Sequence, residues 1–381
     1  MKIAIISDTH LGYTRFYEDS FRQAENAFLD AERNADVILF AGDLFDTKIP
    51  KLEDLEKAMS ILKNLKKPVF AIHGNHERRT KGMVNPVKLL AQSGMINYIH
   101  NNSLVFPAGG QKIQIAGIGS VPEEYAENAI RKFAAGFEPC DDAFKVLIIH
   151  QTLQELVPHS GNELSVRDIE HLPFDLIING HIHKRTSMLG GRLIVPGSTV
   201  ITQLRKEESE PKGYMLYDTT QKRVEFRDIG ARNFIHMDLD FEDAGEEKVN
   251  NRIKESISEA RKSDPDALIA IKLKGTLKEG LSGSDIKIPN YDKTFIDNRL
   301  NSENLAAKIR KIKNLRDENL SMKDLAVSEL SSKVSGNITL FDPVELFDKL
   351  IEGTDVSMEY LDNEVMPNRK EKDLNPSLKE K

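Results

Sequence analysis

The chain opens Met1-Lys2-Ile3-Ala4-Ile5-Ile6-Ser7-Asp8-Thr9-His10. Ile3–Ile6 is an apolar, β-branched run of strand length, and it ends on an acid and an imidazole two residues apart. The same arrangement recurs along the chain. Val37–Ala41 leads into Gly42-Asp43, Val69–Ile72 into Gly74-Asn75-His76-Glu77, Val146–Ile149 into His150, and Leu176–Ile178 into Gly180-His181-Ile182-His183. Ile113–Ala116 and Leu193–Val195 have strand character without the polar ending. Between the early runs lie helical stripes. Phe21, Ala24, Phe28 and Ala31 share one face, as do Leu55, Met59, Leu62 and Leu65. Strand–helix alternation of this kind is an α/β layered core. Tyr214–Tyr217 and Val224–Arg227 follow with no helix between them, which implies mixed sheets rather than one parallel sheet.

Beyond this core, residues 1–232 by this reading, a second unit spans 233–295. Ile235, Met237, Leu239 and Phe241 alternate as in a half-buried strand. Val249, Ile253, Ile257 and Ala260 form a helical stripe, Leu268–Leu273 is another strand, and Gly275–Lys287 reads as a loop. The result is a small α+β module. Residues 301–356 are helical and polar. Their stripes (Leu305, Ile309, Ile312; Met322, Leu325, Leu330; Val344, Phe347, Leu350, Ile351) are too thin for a free-standing core, so the segment either packs back on the parent domain or docks on a partner. Residues 357–381 form a charged tail with the composition of disorder.

Composition sets outer limits. A chain of 381 residues with 39% hydrophobic and 30% charged side chains can build a core, and no apolar run nears the ~20 residues of a membrane helix. The start carries an acid at Asp8, unlike a secretory leader. A lone Cys140 excludes an internal disulfide and suits the cytoplasm. A net charge of −7 argues mildly against nucleic acid, but charge bound near divalent ions or far from a basic surface leaves that open.

The five strand-end segments carry the chemistry. Residues i and i+2 at the end of an extended strand point to one side, so Asp8 with His10, and His181 with His183, each offer two ligands. Glycines before Asp43, Asn75 and His181 are expected to turn the chain sharply as it leaves the sheet. The set mixes carboxylate, imidazole and amide oxygen without thiolate, which suits Mn, Fe, Zn or Ni. A single carboxylate such as Asp43 can bridge two cations that clamp an in-line phosphoryl displacement. Five of the ten histidines fall in these segments; His73, His100, His159, His171 and His236 are read as core or surface filler, and Glu77 as a structural acid.

These blocks, D-x-H, G-D, G-N-H-[DE], H and G-H-x-H in order across residues 8–183, resemble the calcineurin-like metallophosphoesterase superfamily. The resemblance implies a two-sheet sandwich flanked by helices, with the small module as a cap and a C-terminal helical segment. It implies two divalent ions per chain, foremost manganese. By position, one would be held by Asp8, His10, Asp43 and His183, the other by Asp43, Asn75, His150 and His181, with His76 protonating the leaving oxygen. Within the superfamily the chain looks most like the double-strand-break repair nucleases of the meiotic-recombination-eleven and SbcD type. His10-Leu11-Gly12-Tyr13, Gly42-Asp43-Leu44-Phe45-Asp46, Gly180-His181-Ile182-His183-Lys184-Arg185 and Pro196-Gly197-Ser198 before Lys212-Gly213-Tyr214 carry that likeness. One position departs: the archaeal and eukaryotic branch places histidine where this chain has Asp46, so that histidine's exonuclease role does not carry over. Asp46 either accepts a hydrogen bond from a metal-bound histidine or shapes the turn, with the turn slightly favoured.

The implied function is metal-dependent cutting of DNA, at duplex ends and in single strands, in the cytoplasm or nucleoid. Its implied partners are an SMC-like ABC ATPase gripped by 301–356 and a second copy of the chain through Val84, Val87, Leu89 and Leu90. Arg78, Arg79, Lys81, Lys184 and Arg185 cluster beside the blocks and could neutralise flanking phosphates. The competing reading is a phosphoesterase for small phosphodiesters or phosphoproteins; protein phosphatases of the superfamily carry arginine where Thr47 stands. A third is a scaffold that has lost catalysis, but no ligand-type residue is missing.

Overall fold

The computed structural model describes residues 1–80, 82–157, 163–278 and 280–301, with Glu345, Lys349 and Tyr360. The expected docking segment and tail therefore lie almost wholly outside the described residues, as do Lys81 and His159. Met1–Phe241, Gly245–Lys274 and Ser284–Arg299 form one compact unit, which holds the two large sheets and the loops at their ends. A second unit gathers Glu242–Ala244, Gly275–Gly283 and Leu300–Lys381. Among its described residues, the Leu277 amide donates to Asn301 O and the Lys278 amide to Ala244 O.

Strands β1 (Lys2–Ile6), β2 (Val37–Phe40), β3 (Val69–Ala71) and β4 (Asn97–Tyr98) come first, separated by α1 (Tyr17–Asn34), α2 (Leu52–Leu62) and α3 (Pro86–Gln92). The next group is β5 (Asn102–Ala108), β6 (Gln111–Ile118), α4 (Glu123–Ala135), β7 (Ala143–Ile149), α5 (Val166–Ile169), β8 (Leu176–Asn179), β9 (Thr186–Met188) and β10 (Leu193–Val195). The chain then returns through β11 (Gly213–Asp218) and β12 (Arg223–Asp228). The first sheet has the order β12-β11-β1-β2-β3-β4 and the second β5-β6-β7-β8-β10-β9. Both are mixed: β1 pairs in parallel with β2 and antiparallel with β11, and β5 pairs antiparallel with β6, which runs parallel to β7.

Alternate residues of each strand face different cores. Ile3, Ile5, Val37 and Leu39 meet Ile113, Ile115, Val146 and Ile148 between the two sheets. Ala4, Ile6, Ile38 and Phe40 face the helices, where Ala24, Ala27, Phe28 and Ala31 of α1 pack with Ala58, Ile61 and Leu62 of α2. The stripe expected on α1 is therefore its buried face. On α2 the centre shifts toward Ala58 and Ile61, and Leu65 lies past the helix end. The second sheet carries α4 and α5 on its outer face through Ala126, Ile130, Val166 and Ile169.

The small module has β13 (Phe234–Ala244), α6 (Glu246–Ser263), β14 (Leu268–Leu277) and β15 (Thr294–Asn298), in the sheet order β13-β14-β15. Val249, Ile253 and Ala260 of α6 are buried. Part of the stretch read as a loop belongs to β14, and β15 is a strand not anticipated. Phe234, Leu268 and Ala270 pack on Phe16, Val200 and Ile201, and the Phe16 and Phe295 rings meet edge-on at 5.9 Å. No helix among the described residues is long and apolar enough to cross a membrane.

Candidate metal centre

The loops after β1 and β2 extend the parallel pairing beyond the sheet. The Asp8 amide donates to Gly42 O at 3.0 Å, His10 to Asp43 O at 3.1 Å and Leu11 to Leu44 O at 2.8 Å. Within them, and after β8, the backbone is not extended. Asp8 (φ 53°), His10 (φ 44°), Asp43 (φ 54°) and His181 (φ 76°) all adopt the left-handed region. That region costs a non-glycine residue on the order of 1–3 kcal/mol and persists where surrounding contacts enforce it. The expected strand-like alternation of Asp8 and His10 is thus corrected: left-handed kinks aim both side chains inward. Gly42 (φ 94°) makes its turn as expected, but Gly74 and Gly180 are needed for room. A Cβ on Gly74 would lie 1.9 Å from Asp43 Oδ1, and one on Gly180 2.1 Å from Ala41 O.

A buried carboxylate ties the loops together. Glu77 Oε1 accepts from the Phe45 amide at 2.7 Å and Oε2 from the Gly74 amide at 2.9 Å. Burial and the nearby Asp43 charge push its carboxyl up to about 7. Asp43 Oδ1 accepts from the His76 amide at 2.9 Å. Asp8, held up at about 6 chiefly by burial, accepts from the His181 amide at 3.1 Å and from Ser7 Oγ, joining the first sheet to the second.

The side chains converge in groups that share members. Asp8, His10 and His183 bring ligand atoms within 4.8 Å of one another; so do His10, Asp43 and His76, and so do Asp43, His150 and His181. Asp43 Oδ2 lies 3.2 Å from His150 Nε2. Asn75 Oδ1 lies 3.1 Å from that nitrogen and 2.8 Å from His181 Nδ1. On the other side His10 Nε2 and His183 Nε2 are 3.1 Å apart, with Asp8 Oδ1 3.8 Å from the latter.

Whether a cation fits is decided by the protons. His150 Nδ1 donates to Ala41 O at 2.7 Å, so neutral His150 turns a lone pair inward on Nε2. That lone pair meets the Asp43 carboxylate and the Asn75 amide oxygen, acceptor against acceptor. Either a cation lies among them or His150 takes a second proton. Burial opposes that proton, yet the Asp43 carboxylate prevails and lifts His150 to about 9. The His150 charge in turn holds Asp43 below the ordinary carboxylate range against the effect of burial. His181 is pushed down to about 4 by burial and by His150, and His183 falls well below its usual value through burial and His10. Inward lone pairs on carboxylate, imidazole and amide, with no thiolate, fit divalent ions of the Mn, Fe, Zn or Ni type.

A family model for calcineurin-like phosphoesterase matches residues 1–185, the span that holds every residue of this cluster. The chain carries a calcineurin-like phosphoesterase domain. It is similar to the DNA double-strand break repair protein Mre11 of Methanosarcina acetivorans, 28% identical over 96% of this chain and 59% of that protein. It is also similar to the double-strand break repair protein MRE11 of Encephalitozoon cuniculi, 29% identical over 69% of this chain and 54% of that one. The Mre11 protein of Sulfurisphaera tokodaii is 31% identical over 57% and 59%. The chain spans little more than half the length of these relatives.

In this phosphoesterase domain His76 sits beside the cluster, its ring edge-on to His10 at 4.8 Å. Its Nδ1 donates to Asp46 O at 2.6 Å, which leaves Nε2 as the nitrogen not committed to that bond. Asp46 does more than shape the turn: its Oδ1 lies 3.3 Å from His10 Nδ1 and 3.6 Å from His76 Nδ1. The loop after β2 folds over the first block and brings the carboxylate to ion-pair distance of its ring without a hydrogen bond between them.

Two clefts flank the phosphoesterase cluster. One, of about 430 Å³, is lined by Asn75, His150 and His181 with Arg78 and Ser120. The other, of about 570 Å³, is lined by His76 and His183 with Lys184 and Arg205. Arg78 and Lys184 therefore stand beside the candidate site. Arg79 is turned to Lys48 O and Met83 Sδ. Arg185 lies 3.6 Å over the Phe226 ring and 3.8 Å from Glu210. Arg205 went unnoticed in the sequence, since it follows no motif. Of the filler histidines, His73 is buried with Nδ1 2.7 Å from Tyr98 OH, and His171 is exposed.

Proposed function

We propose that the chain is a two-metal DNA nuclease of double-strand-break repair. The observation that carries this is the convergence of inward lone pairs on two positions that share Asp43. By this reading one ion is held by Asp8, His10, Asp43 and His183 and the other by Asp43, Asn75, His150 and His181, with manganese as the expected metal. When bound, such a pair supplies Lewis-acid neutralisation of a phosphodiester and a nucleophile at neutral pH. The chain's own residues do the rest. His76, anchored through Nδ1, holds a proton on Nε2 at the cleft and delivers it to the leaving oxygen. Arg78, Lys184 and Arg205 neutralise phosphates on either side. The relatives' names, double-strand break repair proteins, support DNA as substrate.

In the fuller reading residues 1–232 form the nuclease, 233–295 cap it, and 301–356 grip an SMC-like ABC ATPase. The enzyme works in the cytoplasm or nucleoid as a homodimer. Val87 and Leu90 are buried in the core and drop out of the expected dimer surface. Val84 (53% exposed) and Leu89 (47%) remain, joined by exposed Leu52 at the start of α2 and by Ile49 and Met83 on loops that Arg79 ties together. Light scattering should give twice the chain mass, and Leu52→Asp with Val84→Asp should halve it; a wild-type monomer at micromolar concentration would remove the dimer.

The deciding experiment incubates the chain and Mn²⁺ with linear duplex DNA, single-stranded DNA and a small aryl phosphodiester. DNA cutting that His76→Ser slows about 10²–10⁴-fold, with metal content unchanged, is the expected result. Turnover of the small diester alone would favour the small-molecule reading. A His76→Ser protein that loses an ion would make His76 a ligand.

A further inference from the structure

The two histidines of the Gly180–His183 segment each rest on a threonine, and each threonine rests on a glutamate. Thr152 Oγ1 donates to Glu123 Oε1 at 2.7 Å and lies 3.0 Å from His181 Nε2. Thr202 Oγ1 donates to Glu208 Oε1 at 3.2 Å and is hydrogen-bonded to His183 Nδ1. A hydroxyl has one proton to give. Since each is committed to a carboxylate, each threonine must accept from its histidine. His181 is thereby fixed with hydrogen on Nε2 and a lone pair on Nδ1, which faces Asn75 Oδ1. His183 is fixed the opposite way, with hydrogen on Nδ1 and a lone pair on Nε2, which faces His10.

We propose that Glu123–Thr152 and Glu208–Thr202 are paired positioning relays that set opposite tautomers in the two histidines, so that one short segment presents a lone pair to each half of the centre. None of these four residues belongs to a motif of the phosphoesterase blocks. The need for opposite tautomers is geometric: the two rings serve positions on opposite sides of Asp43 and reach them through different nitrogens. The relays differ in setting. Glu208 is buried and paired with the buried Lys212 Nζ at 2.5 Å, and Lys212 also donates to Ser198 Oγ at 3.1 Å. Glu123 stands exposed in the first turn of α4. The His183 relay is therefore the more rigid one.

The proposal rests on the two-metal reading for its purpose but not for its test. In the metal-free protein, two-bond ¹H–¹⁵N NMR of the imidazoles should show the Nε2–H form for His181 and the Nδ1–H form for His183. Thr152→Val and Thr202→Val, each close in shape to threonine, should mix the tautomers of their own histidine only. Mn²⁺ affinity, measured by calorimetry, should fall about 10–100-fold, more for Thr202→Val than for Thr152→Val. Thr152→Ser and Thr202→Ser, which keep the hydroxyl, should restore both readouts. A wild type with hydrogen on Nδ1 of His181 or on Nε2 of His183, or valine variants that keep wild-type tautomers and affinity, would overturn the relays. Assigned tautomers in a wild type that takes up no Mn²⁺ would overturn the metal reading instead.

Discussion

Residues that the first sheet brings to the centre and those brought by the second are held by different means. Asp8, His10, Asp43 and Asn75 come from loops after β1, β2 and β3, where left-handed backbone and amide hydrogen bonds do the aiming. His150, His181 and His183 come from the ends of β7 and β8, and each is aimed by a partner on the far nitrogen of its own ring. The difference follows from the side chains. An ionised carboxylate can only accept, so backbone amides hold it: the His76 amide on Asp43 Oδ1 and the His181 amide on Asp8 Oδ2. An imidazole has a nitrogen to spare, and a hydrogen bond there fixes both orientation and tautomer. His10 and His181 belong to both groups: each is left-handed at its backbone, with Asp46 facing the His10 ring and Thr152 the His181 ring.

The comparison breaks most completely at Asp43, the residue proposed to serve both halves. Asp43→Ala should abolish Mn²⁺ binding by elemental analysis and bring cutting to background, whereas His150→Ala should empty one half only. In the wild type, Mn²⁺ at about a hundredfold its Kd should add about 2.7 kcal/mol of stability, a gain that chelation removes and Asp43→Ala lacks. One ion retained by Asp43→Ala would mean that the halves are independent.

Gly74→Ala tests the backbone side. Its Cβ would press on both the carboxylate and the amide nitrogen of Asp43, at 1.9 and 2.4 Å. Urea unfolding should register a loss of about 3 kcal/mol together with weakened metal uptake. A neutral outcome would show that the loop gives way and that its conformation is not what aims Asp43. Glu77→Gln should cost less, about 2 kcal/mol, because one backbone amide then faces an NH₂ donor instead of an oxygen. Asp46→Asn should have the smallest effect, about a tenfold loss of affinity confined to the half that includes His10. An equal loss in both halves would make Asp46 a general electrostatic influence rather than a partner of one ring.

Much of this could be read in the sequence because it depends on local pattern. The runs before Asp8, Asp43, Asn75 and His150 are strands, and the blocks they deliver meet in one place. The mixed character of the sheets was legible too, in strands that follow one another without helices. What could not be read is what depends on distance in the chain. Thr152 and Thr202 are ordinary threonines until the fold sets them behind His181 and His183. Asp46 was ambiguous because nothing local shows that its loop closes over His10. Gly74 and Gly180 signalled glycine correctly for a reason only packing reveals. The strand β5 carries Asn102, Ser103 and Pro107 and lacks a clean alternation, and α4 is polar enough to pass for a surface segment.

The placement of β11 beside β1 has a kinetic corollary. β1 can pair with β2 as soon as some forty residues exist, but its other edge waits for residues 213–218, after the whole second sheet. Contacts of such long sequence separation form late, since loop closure must precede the stabilisation they bring. A ribosome at work on this chain therefore releases the carboxylates of the centre with one edge of their sheet still bare. The histidines at 150, 181 and 183 emerge next, and the strand that seals the first sheet comes last.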